Sequence, residues 1–553
     1  MQWSSSKPLR CVALSCAAFA VLTTTTDAAV QKEKGTVHGD LRTSTKEWPS
    51  FKVHFTLKRG SMQVYGESEF DVYANPIVSK DGLSVTYDGY ADFYEGPTLT
   101  RYMLVDGIAY STTSTENVDV LTQTQTRSET SSSTSECLQS TMLPHLNLMI
   151  PALNDAVPVY NATLDGNRIK CSAGNLFRMK FGGLNLALCA SGSEGVHVYG
   201  SDLEITVKHL DSPVEITAPK LDPKVASECE IVVNSTAVTP TTAALLTGDI
   251  IPKSESRSID FGEDVEITPT TCSCRSTPRP CLFIHGLGID YAKEELQDSF
   301  SSYWGNLSDH APCCTDFKYM IWNSIETGWN NETQQQTLCN LATSLVESGP
   351  PTEITDTIIV SHSMGGLLLA SAIANGKCSL GNSSSWVATS PPFMGSMGSD
   401  FAQEACAGEL TIIMEALGNV TGQCPVLSST KSLAYEGGEH SSTELNAAYE
   451  AAREIYHTRV HAAMCSNSFS GLFSIYQVQY WLLGAAIPHK SSKNDGMVEF
   501  QSCAGGFPLE QFGDHYLDQF YVTRLNHADT TFYNGDGLFS SSKKPVKWFE
   551  CVL

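Results

Sequence analysis

The sequence predicts a two-part chain. A mostly antiparallel, β-rich region comes first, and an α/β region with a mostly parallel, doubly wound sheet follows it. Three observations lead there. Residues from about 30 to 260 alternate apolar and polar side chains with period two. From about residue 281 short apolar runs alternate with helical stretches. Between the two rhythms, from about Pro240 to Pro280, the chain turns to Thr, Ser and Pro and ends Arg275-Ser276-Thr277-Pro278-Arg279-Pro280. Period-two segments between turn residues read as half-buried strands, and strand–helix alternation reads as a sheet covered on both faces.

The elements are taken in chain order. Lys7 and Arg10 precede an apolar run, Cys11–Leu22, and Thr26-Asp27-Ala28 offers small residues for cleavage. That layout predicts a signal peptide over 1–28, because twelve apolar residues are too few to span a bilayer. Region 29–265 follows as the β-rich domain. Phe51–Leu57 and Glu204–Lys208 alternate cleanly, Ser84–Tyr87, Tyr102–Val105 and Ala109–Thr112 lie between turns, and residues 111–136 form a Ser/Thr-rich surface excursion. A linker is expected over 266–280. In region 281–553 strands are predicted at Cys281–Ile284, Phe317–Trp322, Thr357–Val360 and Trp386–Ala388, with helices at Thr333–Glu347 and Met364–Ala374. About ninety residues between Ser396 and Ala486 exceed a simple connection and predict a helical cap, about 396–486, with helices at Glu409–Leu417 and Thr443–His461. Its apolar residues Phe469, Leu472, Phe473, Tyr476, Tyr480 and Trp481 read equally well as pocket lining or as the cap's own core.

Composition narrows the functional classes. Thirty-five Lys+Arg against sixty Asp+Glu give a net charge of −25, which repels phosphate backbones and excludes a nucleic-acid reader. Of eighteen cysteines, Cys11 and Cys16 leave with the leader. Four of the other sixteen (Cys137, Cys171, Cys189, Cys229) precede the midpoint and twelve lie from Cys272 to Cys551, as two closed disulfide sets would. No double C-x-x-C spacing points to zinc. Six sequons, at Asn161, Asn234, Asn306, Asn331, Asn382 and Asn419, fit a secreted glycoprotein, and no transmembrane run follows the leader.

The chemistry concentrates in four segments. Thr357–Val360 runs through Ser361-His362-Ser363-Met364-Gly365-Gly366 into Leu367–Ala370, which is a buried strand, a tight turn with serine at its apex, and a helix start. So sharp a turn requires small residues two before and two after the serine, here Ser361 and Gly365, and the helix N-terminus favours a developing oxyanion. Seventy-eight residues upstream of Ser363, Leu282–Ile284 ends in His285-Gly286-Leu287, whose turn aims the amides of Gly286 and Leu287 toward the serine's substrate, joined by the amide of Met364. His285 and His362 are expected to orient loop backbone rather than reach Ser363.

These segments resemble the α/β-hydrolase superfamily, in particular its secreted lipase branch, over residues 280–553. The resemblance implies an α/β-hydrolase fold and, after the serine, an acid and then a histidine. Asn494-Asp495-Gly496-Met497-Val498 resembles the acid loop, 132 residues after Ser363, and Leu525-Asn526-His527-Ala528-Asp529 the histidine loop, thirty-two residues later. Asp495 would orient His527, and His527 would activate Ser363. Asp514, Asp518 and His515 are rivals from the residues alone. Asp529 stands where some bacterial lipases place a calcium ligand, but a second acid ligand has no counterpart near Phe473, so neither metal nor cofactor is expected. Trp386–Ser396 resembles the family's next strand and turn. The implied function is a secreted serine hydrolase of carboxylic esters, chiefly lipid esters. Acyl transfer from the same acyl-enzyme, or a catalytically idle lipid-binding or adhesion protein, is the alternative. The sequence leaves the oligomeric state open.

Overall fold

The computed structural model describes residues 48–115, 133–143, 148–172, 175–221, 223–249, 263–268, 271–346, 349–409 and 424–553. The predicted leader, Asn419 and most of the Ser/Thr-rich excursion lie outside them. Contacts divide the chain into two units. One comprises Thr271–Gly537 and Ser541–Leu553, and the other lies within Thr24–Thr270 and includes Leu538–Ser540.

In the N-terminal unit a twelve-stranded antiparallel sheet forms. Its central strands are the two that alternate most cleanly in sequence, Ser50–Leu57 and Leu203–Leu210, paired from Ser50↔Leu210 to Leu57↔Leu203. On one side the chain meanders outward through Glu69–Val78, Ser84–Glu95, Thr98–Val105, Ile108–Thr115 and Ser133–Leu138. The hairpin at Val105–Ile108 turns on Asp106 and Gly107 at φ 51° and 78°, the left-handed pair that a two-residue turn requires to match strand twist. Cys137–Cys229 and Cys171–Cys189 brace this unit.

The second unit holds a six-stranded sheet whose registered pairs are all parallel. Its strands are β1 (Arg279–Ile284), β2 (Cys314–Met320), β3 (Ile358–His362), β4 (Ser385–Thr389), β5 (Val460–Ser466) and β6 (Phe520–Thr523), in the order β2-β1-β3-β4-β5-β6. Both faces are buried, and each strand divides its side chains between two cores. Leu282, Ile284, Ile359, Trp386, Ala388, Ala463 and Cys465 face one core, which holds α1 (Glu332–Thr343), α2 (Met364–Ala374) and α4 (Thr443–Arg459). Phe283, Ile358, Val360, Val387, Ala462 and Met464 face the other, with Trp304 and, from the C-terminal helix α6 (Pro545–Cys551), Trp548 and Phe549. Burial on both faces explains why these strands read as continuous apolar runs. Helix α2 is apolar all round because Met364–Ala372 is wholly enclosed. Six disulfides lie in this unit, so all sixteen cysteines among the described residues are paired.

The expected single cap over 396–486 is corrected. Its middle contains α4 and β5, which belong to the sheet layer, and two shorter excursions flank them. Helix α3 (Met397–Glu404) in the first packs through Met397 and Phe401 on Leu483 and Ile487, at and just past the end of α5 (Tyr476–Ala486) in the second. The helix expected at Glu409–Leu417 lies almost entirely outside the described residues. Among the described residues no helix is long and apolar enough to cross a membrane. Asn234, Asn306 and Asn382 are exposed, whereas Asn331 caps α1 by accepting from the Gln334 amide.

Candidate functional site

In a parallel sheet, a crevice opens at the carboxyl ends of two neighbouring strands whose connections leave in opposite directions. Here those strands are β1 and β3, since β2 lies outside β1 and every later strand lies beyond β3. The turns that follow them carry Gly286 and Ser363.

Ser363 sits at φ 53° and ψ −129°, immediately before α2. A non-glycine residue there costs about 1–3 kcal/mol, and neighbouring structure must hold it. The Ser363 amide donates to the Thr389 carbonyl at 2.9 Å, and the Gly366 amide donates to the Ser363 carbonyl at 3.0 Å. Smallness at the flanking positions is explained atom by atom. A Cβ on Gly365 would lie 2.6 Å from the carbonyl oxygens of Ile284 and His285, which are backbone atoms with no rotamer to escape into. Upstream, Ser361 replaces glycine without harm because its hydroxyl points across to β4 and accepts from Trp386 Nε1 at 2.8 Å.

The structure brings Ser363, His527 and Asp495 into one hydrogen-bonded chain. His527 Nε2 lies 2.9 Å from Ser363 Oγ, and His527 Nδ1 lies 2.7 Å from Asp495 Oδ2. A carboxylate can only accept, so the ring proton belongs on Nδ1 and Nε2 faces the serine bare. Asp495 Oδ1 accepts from the amides of Met497 (2.9 Å) and Val498 (2.7 Å), and the His527 amide donates to the Asp495 carbonyl at 2.8 Å. Burial by itself would raise the Asp495 carboxyl, but the charge and hydrogen bond of His527, with the two amides, hold it below the usual carboxylate range. The Asn494-Asp495-Gly496 turn needs its glycine, at φ 93°, because a Cβ there would meet the Tyr480 carbonyl at 2.9 Å. The rivals serve a different turn: Asp518 Oδ2 accepts from the His515 amide at 3.0 Å.

Of the three amides expected around the oxyanion, the structure reassigns one. The Gly286 N–H is occupied, donating to the Tyr303 hydroxyl at 2.9 Å. Its glycine is required for another reason, since a Cβ would lie 2.6 Å from Ser363 Cβ. The amides of Leu287 and Met364 have no acceptor among the described residues. Both histidines on the turns serve backbone or hold loops. His285 Nε2 accepts from the Trp322 amide at 3.1 Å, its Nδ1 lies 2.7 Å from the Gly286 carbonyl, and burial pushes its imidazole down to about 4. His362 faces Tyr303 and the His527 carbonyl and does not reach Ser363.

A cleft of about 180 Å³ opens over Ser363 and His527, walled by Leu287, Tyr303, Pro392, Leu433, Tyr476, Tyr480, Met497 and Val498. The two expectations for the apolar cap residues therefore divide. Tyr476 and Tyr480 line the cleft, Leu472 is buried in the sheet core, and Phe469 packs on Gly484 of α5. Asp529, two residues after His527, is wholly buried and already engaged. Its Oδ2 accepts from the Leu472 amide and its Oδ1 from Asn534 Nδ2, both at 2.7 Å. Burial raises its carboxyl to about 6, while Lys543, whose Nζ donates to the Gly471 carbonyl at 2.6 Å, acts against that rise. Sequence reasoning missed Tyr303, because nothing local marks a phenol that meets its partners from Ser301–Trp304, a one-turn helix.

No protein-family model matches the chain, and no curated protein matches it either. Among solved structures the chain is similar to a Staphylococcus hyicus lipase at 12% identity and TM-score 0.29, over 51% of this chain and 95% of that one. It is also similar to a metagenomic carboxyl esterase at 14% identity and TM-score 0.27, over 54% of this chain and 83% of that one. A prolyl endopeptidase is similar at 10% identity and TM-score 0.20, over 84% of this chain and 65% of that one. At those scores the likeness carries no argument, and the chemistry rests on the side chains.

Proposed function

We propose that this chain is an extracellular serine hydrolase of the α/β-hydrolase type that cleaves carboxylic esters through an acyl-enzyme on Ser363. One observation carries the reading: the unbroken chain from Asp495 Oδ2 through His527 to Ser363 Oγ, set on a strained turn at the head of a buried helix. Asp495 keeps the Nδ1 proton in place, so Nε2 is the free base. His527 takes the proton of the Ser363 hydroxyl as Oγ attacks the acyl carbon, and the resulting imidazolium is stabilised by the buried carboxylate. The carbonyl oxygen, now an oxyanion, meets the amides of Leu287 and Met364 at the N-terminus of α2. His527 then protonates the departing alcohol, and a water, deprotonated by the same nitrogen, releases the acid and restores Ser363. The apolar and aromatic walls of the cleft support an apolar acyl group, as in lipid esters. Eight disulfides, which persist in oxidising compartments, support an extracellular setting.

A fluorophosphonate probe tests the reading. The wild-type protein should be labelled at Ser363, and Ser363→Ala should not be. Labelling that survives the substitution, or none in the wild type, overturns the proposal.

A further inference from the structure

Three loops must hold their relative positions for the proposed chemistry: the turn after β1 with the Leu287 amide, the turn after β3 with Ser363, and the loop after β6 with His527. A misplacement of 1 Å is enough to cost about a hundredfold in rate. Besides the Ser363–His527 bond, hydrogen bonds between these loops run through two side chains that have no part in the proposed reaction itself.

Donor and acceptor roles along this path follow from chemistry alone. The Gly286 N–H can only donate, so the Tyr303 oxygen, 2.9 Å away, accepts from it. Its other partner is His362 Nδ1, at 2.6 Å, and the far side of that ring decides which of the two donates. The phenol donates to a bare Nδ1, because the ring proton of a neutral His362 must sit on Nε2, which faces only acceptors. That nitrogen lies 3.1 Å from the His527 carbonyl and 3.1 Å from Thr530 Oγ1, which itself donates to the same carbonyl at 2.8 Å. The path runs in one direction from the β1 turn, through Tyr303 and His362, to the backbone of His527. The rings of His362 and His527 also pack with centroids 4.8 Å apart. A cationic His362 would need a proton on Nδ1 and would break the path. Burial, and then the neighbouring His527, hold the His362 imidazole well below its ordinary value, so it stays neutral.

We propose that Tyr303 and His362 are positioning residues that act as one unit, fixing the oxyanion loop and the base loop in a common frame around Ser363. The proposal rests on the ester-hydrolase reading above. In it, Tyr303 also keeps Gly286 out of the oxyanion donor set, because the amide that would serve there is already bound.

The test uses the full-length protein, p-nitrophenyl acetate, and the fluorophosphonate probe. Tyr303→Phe removes only the hydroxyl. It should lower kcat and the rate of probe labelling by about tenfold, with KM within twofold and the thermal midpoint within a few degrees. His362→Gln keeps a donor for the His527 carbonyl but presents no Nδ1 to Tyr303, and it should give a similar loss. The double variant should be no slower than the slower single variant, as expected for groups that share one path. If Tyr303→Phe does not fold, His362→Gln carries the same expectation. An unchanged or faster kcat in Tyr303→Phe, an effect on KM alone, or losses that multiply in the double variant would overturn the relay. A wild type that the probe fails to label, or labelling that persists in Ser363→Ala, would overturn the ester-hydrolase reading and the relay with it. A labelled wild type with an unaffected Tyr303→Phe sinks the relay alone.

Discussion

Replacing Asp495 by asparagine changes one oxygen to an amide nitrogen, and the surrounding backbone dictates which way that amide must face. In the native site one carboxylate oxygen accepts from the amides of Met497 and Val498, at 2.9 and 2.7 Å, and the other accepts from His527 Nδ1 at 2.7 Å. An asparagine that keeps its oxygen on the two amides must turn its NH₂ toward His527. The imidazole then has to accept at Nδ1 and carry its proton on Nε2, where it faces Ser363 Oγ as a donor and is no base. The opposite orientation preserves the tautomer but sets an NH₂ against two buried N–H groups. Leaving those unsatisfied costs about 1–3 kcal/mol each, or roughly 2–6 kcal/mol together. At 1.4 kcal/mol per decade the productive arrangement falls to between about 1 in 25 and about 1 in 20,000 of the population. Asp495→Asn should therefore lower kcat on p-nitrophenyl acetate by about 25-fold to about 20,000-fold, with a parallel loss in fluorophosphonate labelling and a lower thermal midpoint near neutral pH. Because the folded protein holds this carboxyl below its ordinary value, its contribution to stability is present above the unfolded pKa and is lost as pH falls through the folded one. Wild type and variant should thus converge in stability below about pH 4. A kcat within tenfold of wild type would refute the reasoning, because it would mean that Asp495 does not set the tautomer.

Three further outcomes follow from the same geometry. Gly286→Ala places a Cβ 2.6 Å from Ser363 Cβ, and relieving it by about 0.8 Å should cost on the order of a hundredfold in kcat/KM; esterase rates within twofold of wild type would contradict the close approach. Asp529, raised to about 6 by burial, contributes stability that is present below its unfolded pKa and lost as pH rises through 6. Urea unfolding at pH 4 and pH 7 should therefore show Asp529→Asn gaining on wild type by up to about 3 kcal/mol as pH rises, and a gap that does not change with pH would count against it. Removing the Cys272–Cys551 bond with paired alanines opens a loop of 279 residues and should cost about 5 kcal/mol, against about 3 kcal/mol for Cys406–Cys424, whose loop is 18 residues. Equal losses in urea titrations would sink the loop-length account.

What could be read from the sequence was local or ordered. The turn at Ser363 was legible because its constraints lie within five residues, and a strand feeds it directly into a helix. Asp495 and His527 were legible through their order behind the serine, each supported by a turn motif. The part of Gly286 was not, because a phenol seventeen residues away in sequence takes its amide. The cap was drawn too large for an equally physical reason. Helix α4 ends at Arg459 and β5 begins at Val460 with no intervening turn, so the punctuation that marks an element boundary is missing. In the N-terminal unit the alternation of Phe51–Leu57 and Glu204–Lys208 announced strands. That these two pair with each other depends on contacts about 150 residues apart, which no local pattern encodes.

The bond between Cys272 and Cys551, with the Arg275 amide on the Leu553 carbonyl at 2.8 Å, ties together the two ends of the sheet-bearing stretch Thr271–Leu553. Mechanically that makes the unit a closed ring. A pull applied between Thr271 and Leu553 would pass from sulfur to sulfur and leave the backbone between them slack. The strained turn at Ser363 and the loops around it would feel none of that load, so force would spare the chemistry for as long as the bond stays oxidised.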